Sequence, residues 1–229
     1  MTKLINRFTR ILAALALSAT LAPAQATLLG VTPDAPLLRF GSLLNQGADY
    51  DAASGRLSIS GTPQALQFSL PGPFTVIGGP RTLGMDLSLD SSGNVTGGIA
   101  GNDFELFGEI DSDGDGLADF TGLLLAGEIR DFGFQDLTTT VDVMDFLFNV
   151  SGGSLAGQFS GFGIGVAMTL ENSSFTGSFS QDFTSTRIKG NIGTAPIPPS
   201  QIPEPGTAWL LALAALPGLL PALRRRNHA

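Results

Sequence analysis

The sequence predicts an all-β body, an antiparallel sandwich or barrel, and three observations carry that prediction. Leu83, Met85, Leu87 and Leu89 alternate with Gly84, Asp86, Ser88 and Asp90, the period-two pattern of a strand with one buried face. Short β-prone runs recur between Gly-, Ser- and Asn-rich turns. No body segment sustains an apolar stripe of period 3.6 over three turns.

The run from 83 leads into Ser91-Ser92-Gly93-Asn94, a hairpin turn by composition. Further strands are expected at 56–60, 65–70, 103–110, 121–129, 139–150, 164–171 and 175–180. Ala53-Ser54-Gly55, Ser151-Gly152-Gly153 and Glu171-Asn172-Ser173-Ser174 punctuate them. Segment 136–148 comes nearest to a helical pattern, and strand is favoured there. Phe159, Phe162, Phe175, Phe179 and Phe183 suit the core of a β fold better than a ligand-stacking surface.

Both ends read as targeting segments and are set apart from the fold. Lys3, Arg7 and Arg10 precede an apolar run, residues 11–22, that closes on Ala24-Gln25-Ala26. This is the tripartite pattern of a secretory signal peptide over 1–26, cleaved after Ala26 at a small-x-small site read by signal peptidase after Sec translocation. The run is too short for a stable membrane span. At the other end, residues 207–223 carry no charge and are followed by Arg224, Arg225 and Arg226. As a helix this stretch is about 25 Å long, the low end of a span. The arginines orient it with the tail in the cytoplasm and the body outside. Trp209 suits the outer headgroup level, whereas Pro217 and Pro221 interrupt the helix.

Directly before that stretch stands Ile202-Pro203-Glu204-Pro205-Gly206-Thr207. The motif, the Leu/Ala-rich helix and the arginine cluster, in that order at the C-terminus, resemble the PEP-CTERM sorting domain over about the last 28 residues. The two helix prolines depart from that pattern. The resemblance implies transient anchoring in the inner membrane of a Gram-negative-type bacterium. It also implies processing by an exosortase, with Pro203, Glu204 and Pro205 as recognition residues, and release to the cell surface or matrix. Export of this family is commonly linked to exopolysaccharide and biofilm. Residues 192–202, rich in proline, read as a semi-rigid spacer, which leaves 27–191 as the exported domain.

Of the 20 acidic residues only Glu204 lies outside that domain, and of the 12 basic residues three sit in the leader and three in the tail. The domain therefore holds 19 acids against six bases, a net −13. Nucleic acid and anionic lipid are not the partners this charge leads one to expect. There is no cysteine, and the single histidine is His228. Ser-His-Asp, Cys-His and zinc-histidine chemistry are therefore excluded from the domain, and a non-enzyme is expected. A paired-carboxylate glycosidase drawing on acids such as Asp103, Glu105 and Glu109 is the enzymatic alternative.

One local motif carries chemistry. Asp111-Ser112-Asp113-Gly114-Asp115-Gly116-Leu117-Ala118-Asp119 places acids at the first, third, fifth and ninth positions of a calcium loop and glycine at the sixth. Asp111, Asp113, Asp115 and Asp119, with the Leu117 carbonyl, are the expected Ca2+ ligands. The twelfth position is Gly122, not a bidentate glutamate, so affinity on the order of 10⁻⁴ M is expected. Glu109 or Glu128 could complete the set. Two functions follow: a structural or adhesive matrix protein, and a calcium-assisted carbohydrate-binding module. The second lacks stacking aromatics, since the chain's one Trp is Trp209 and its one Tyr is Tyr50.

Overall fold

The computed structural model describes residues 27–198. The expected leader with Ala24 and Ala26, the motif Pro203, Glu204 and Pro205, the expected membrane helix and Arg224, Arg225 and Arg226 lie outside the described residues. The compact unit that holds the strands ends at Pro196.

Eleven strands form one antiparallel sheet: β1 (Asp34–Gly41), β2 (Gly47–Asp51), β3 (Arg56–Gln67), β4 (Thr75–Val76), β5 (Gly78–Leu89), β6 (Val95–Gly98), β7 (Phe104–Ile110), β8 (Phe120–Thr138), β9 (Val141–Gly152), β10 (Gly163–Ser173) and β11 (Phe183–Ala195). A single 3-10 turn, Ala156–Phe159, is the helical element among the described residues. β1 pairs with β3, β3 with β5 and β5 with β7. β7 to β11 then pair in succession, and β11 returns to β1. The ladder thus closes through eight strands taken in chain order, an up-and-down ring. β2 bridges β3 and β11, while β4 and β6 flank β3 and β5.

The alternation supplies the ring with its inner face. Leu83, Met85, Leu87 and Leu89 of β5, Phe104, Leu106 and Ile110 of β7, Met144, Phe146 and Phe148 of β9, and Ile164, Val166, Met168 and Leu170 of β10 are all buried. Between them stand the less buried Asp86, Ser88, Glu105, Thr169 and Glu171. An eight-strand ring is just wide enough for such side chains to fill. Apolar inside and polar outside is the reverse of a lipid-facing barrel.

Several expectations are refined. Segments 56–60 and 65–67 join into the one strand β3, which ends at Gln67, short of the expected 70, and 136–148 is strand on both sides of a tight β8–β9 turn. Strands β1, β2 and β11 carry weak alternation and went unpredicted. β11 runs to Ala195, past the expected boundary at 191, because its last residues pair with β10 and β1. The expected strand at 175–180 is instead a connection between β10 and β11. Its phenylalanines sit four apart and turn into the barrel end instead of alternating along a ladder. Phe175 and Phe179 pack on Phe134 at 5.4 and 4.8 Å between ring centroids, and Phe179 meets Tyr50 at 5.1 Å. Phe159, Phe175, Phe179 and Phe183 are core as expected, whereas Phe162 is 48% exposed.

The first described residues are bound to the barrel wall. The buried Asp145 accepts the amides of Leu29 at 3.0 Å, Gly30 at 2.8 Å and Val31 at 3.1 Å. Gly133 lies beneath, where a Cβ would stand 2.5 Å from the Thr27 carbonyl oxygen and from Asp145 Oδ1. Glycine at 133 is therefore required by close approach of another backbone.

Candidate metal centre

The acidic loop is the β7–β8 hairpin connection. Asp119 N donates to the Ile110 carbonyl at 2.8 Å, closing the hairpin at the loop's base. Within it, Asp111 accepts Gly114 N at 2.7 Å and Gly116 N at 2.8 Å. Asp113 accepts Asp115 N at 3.1 Å, and Asp115 accepts Leu117 N at 2.8 Å. Gly114 and Gly116 adopt φ of 80° and 91°, a conformation that glycine takes without strain. The loop is coiled around its own carboxylates by successive Asx-type turns.

This coiling brings Asp111, Asp113 and Asp115 together, each with one oxygen within 4.8 Å of the others. Among the described residues it is the one group of three such side chains. An oxygen that accepts an amide keeps a second lone pair, so the three remain able to ligate a hard cation. Asp119 does not join them. Its Oδ2 accepts Ser112 N at 2.7 Å and Ser112 Oγ at 2.5 Å. The Ser112 bonds hold the Asp119 carboxyl below the ordinary aspartate value. The loop is exposed, so water is available for the remaining coordination positions.

The two glutamates considered as completing ligands are elsewhere. The Glu109 side chain packs over Gly79 of β5. Glu128 lies beside Asp103, and desolvation, then the Asp103 charge, raise its pKa. Asp103 itself is structural: it is buried, and it accepts Ile99 N at 2.6 Å and Ile129 N at 2.8 Å. Glu105 accepts Asn102 Nδ2 at 3.0 Å. The acids named for a glycosidase are thus bound up in separate local contacts.

Sequence reasoning missed a groove of about 650 Å³ on the outer face of β2, β3 and β5. Asp49, Arg56, Ser58 and Asp86 line its floor, and the exposed Leu43 and Leu44 form its rim. Arg56 Nη2 donates to Asp86 Oδ1 at 2.8 Å, and Ser58 Oγ to the same oxygen at 2.5 Å. These residues come from three strands, so no local pattern announces them.

No protein-family model, no curated protein and no solved structure matches this chain.

Proposed function

We propose that this is an exported structural or adhesive protein of the cell surface or extracellular matrix, delivered by exosortase-type processing and linked to exopolysaccharide. The observation that carries this reading is the ordered C-terminal sequence: Pro203-Glu204-Pro205, an uncharged stretch over 207–223, then Arg224, Arg225 and Arg226. The signal peptide expected over 1–26 supports it from the other end. The barrel adds a body suited to water outside a cell: an apolar interior, a polar exterior, and no cysteine dependent on redox conditions. In this reading the Asp111–Asp113–Asp115 loop takes Ca2+ weakly from the medium, which stiffens the β7–β8 hairpin.

The test is intact mass and cell fraction of the protein from its native host, for wild type and Glu204→Ala. Wild type should lack residues 1–26 and the apolar tail and appear outside the cell, with the variant held in the inner membrane. A wild-type protein that retains its tail sinks the sorting reading.

A carbohydrate-binding module is the second reading, and the groove favours it. Carboxylates, a guanidinium and hydroxyls beside an apolar rim are the mixed donors and acceptors that sugar hydroxyls require. A glycan array with and without chelator decides it, and absence of binding in both conditions removes it.

A further inference from the structure

The inward rows of β8 and β9 run in register, Phe132 opposite Phe146 and Phe134 opposite Met144, and the next pair is Asp136 opposite Asp142. Two carboxylates therefore end two apolar rows at one mouth of the barrel. Asp142 is 1% exposed, and neither of its side-chain oxygens has a hydrogen-bond partner. A buried ionised carboxylate without partners costs several kcal/mol, and a second carboxylate beside it adds repulsion. Asp136 is the exposed member at the rim, and the cost at Asp142 is relieved when Asp142 holds a proton turned toward it.

The same mouth is covered by the β10–β11 connection. Ser173 N donates to the Thr140 carbonyl at 3.2 Å, and Phe175 N donates to Ser173 Oγ at 3.1 Å. A Cβ on Gly177 would lie 3.3 Å from Asp136 Oδ2, so this connection passes directly over Asp136. We propose that Asp142 holds a proton facing Asp136, and that this proton seats the 174–182 segment, with Phe175 and Phe179, in the barrel mouth.

The neighbours agree with a proton more than with a metal ion. Asp136 is the charge that acts on Asp142, and the Ser173 hydroxyl of β10 and the Leu137 amide of β8, which approach it and favour its charged form, are outweighed by burial. Arg187 and Lys189 each form an ion pair with Glu171, and Glu171 stands opposite Val141, out of the inward row. Two carboxylates and a hydroxyl are too few for calcium, which takes six to eight oxygens. Burial first, and the Asp136 charge as well, raise the Asp142 pKa above its ordinary value of 3.8. The linkage sign follows. With the folded pKa above the unfolded one, the pair stabilises the closed mouth fully at low pH. That contribution is lost as pH rises through the folded pKa.

Site-resolved amide exchange on the full-length chain tests this, after correction for the intrinsic pH dependence of exchange. Protection of residues 174–182 should fall as pH rises above the ordinary aspartate range, by up to about tenfold for each unit by which the folded pKa exceeds the unfolded one. Asp142→Asn should make that protection independent of pH. Asp136→Asn should move the transition to lower pH, which answers the question if Asp142→Asn does not fold. Wild-type protection that is flat with pH, or an Asp142→Asn profile like that of wild type, overturns the proposal. So does protection restored at high pH by millimolar calcium and abolished in Asp142→Asn, which would make the pair a cation site.

Discussion

The Tyr50 hydroxyl donates a hydrogen bond to the Phe179 carbonyl at 3.0 Å, joining residues 129 apart in the sequence. Tyr50 belongs to β2, which bridges β3 and β11 outside the main circuit. Its ring stacks on Phe183 at 5.3 Å and meets Phe179 edge-on at 5.1 Å. β2 and the β10–β11 connection are thereby fastened to each other at the barrel mouth.

Tyr50→Phe keeps the ring packing and leaves the buried Phe179 carbonyl without its donor. A loss of about 1–3 kcal/mol in unfolding free energy is expected. The check is a denaturant melt, in which the midpoint falls while the slope is unchanged. A midpoint equal to that of wild type would show that water replaces the hydroxyl.

The bond between Asp145 and residues 29–31 predicts a shared fate for two positions. Asp145→Ala removes one carboxylate that serves three amides, and about 2–4 kcal/mol is expected to go with it. Gly133→Ala drives a methyl group into the Thr27 carbonyl and Asp145 and releases the same segment. The double variant should then cost less than the two single changes together. Limited proteolysis near residue 30 reads the release directly.

Calcium titration of the chain in chelator-treated buffer should give a dissociation constant on the order of 10⁻⁴ M. Asp113→Asn and Asp115→Asn should each weaken it several-fold, since each places an oxygen within 4.8 Å of the other and of Asp111. Asp119→Asn should have the smaller effect on affinity, because its carboxylate is engaged by Ser112. Equal losses at all three positions would place Asp119 in the coordination sphere after all.

Asp119 also has a distinct acid titration. Its pKa lies below 3.8 because the Ser112 side chain, then the Ser112 amide, donate to its charged form. A lowered folded pKa stabilises the loop above the unfolded value and loses that contribution as pH falls through the folded one. Carboxyl chemical shifts followed by NMR should show the depressed midpoint, and Ser112→Ala should return it toward 3.8.

The all-β class was legible because Leu83, Met85, Leu87 and Leu89 fix one face of a strand wherever that strand is placed. The loop at 111–119 was legible for a similar reason. Its spacing of acids is local, and Gly114 and Gly116 fix how tightly the chain coils around Asp111, Asp113 and Asp115. Asp119 stands apart from the other three because a carboxylate at the right spacing can be taken by a nearer donor, here Ser112. β11 escaped notice because its inward residues, Ser185, Ile188, Ile192 and Thr194, mix polar with apolar and break the period.

The sequence by itself determined the strand pattern, the acidic surface, the acidic hairpin loop and the order of motifs at the two ends, since each depends on composition or on neighbours close in the chain. Only the tertiary structure decided that the ladder closes from β11 onto β1, that Asp145 holds residues 29–31, and that Asp136 and Asp142 meet at a barrel mouth beneath Gly177. The β11–β1 pairing, the Asp145 contacts and the approach of Gly177 to Asp136 join residues far apart in the chain, and Asp136 meets Asp142 across a hairpin whose register the packing of the whole barrel fixes.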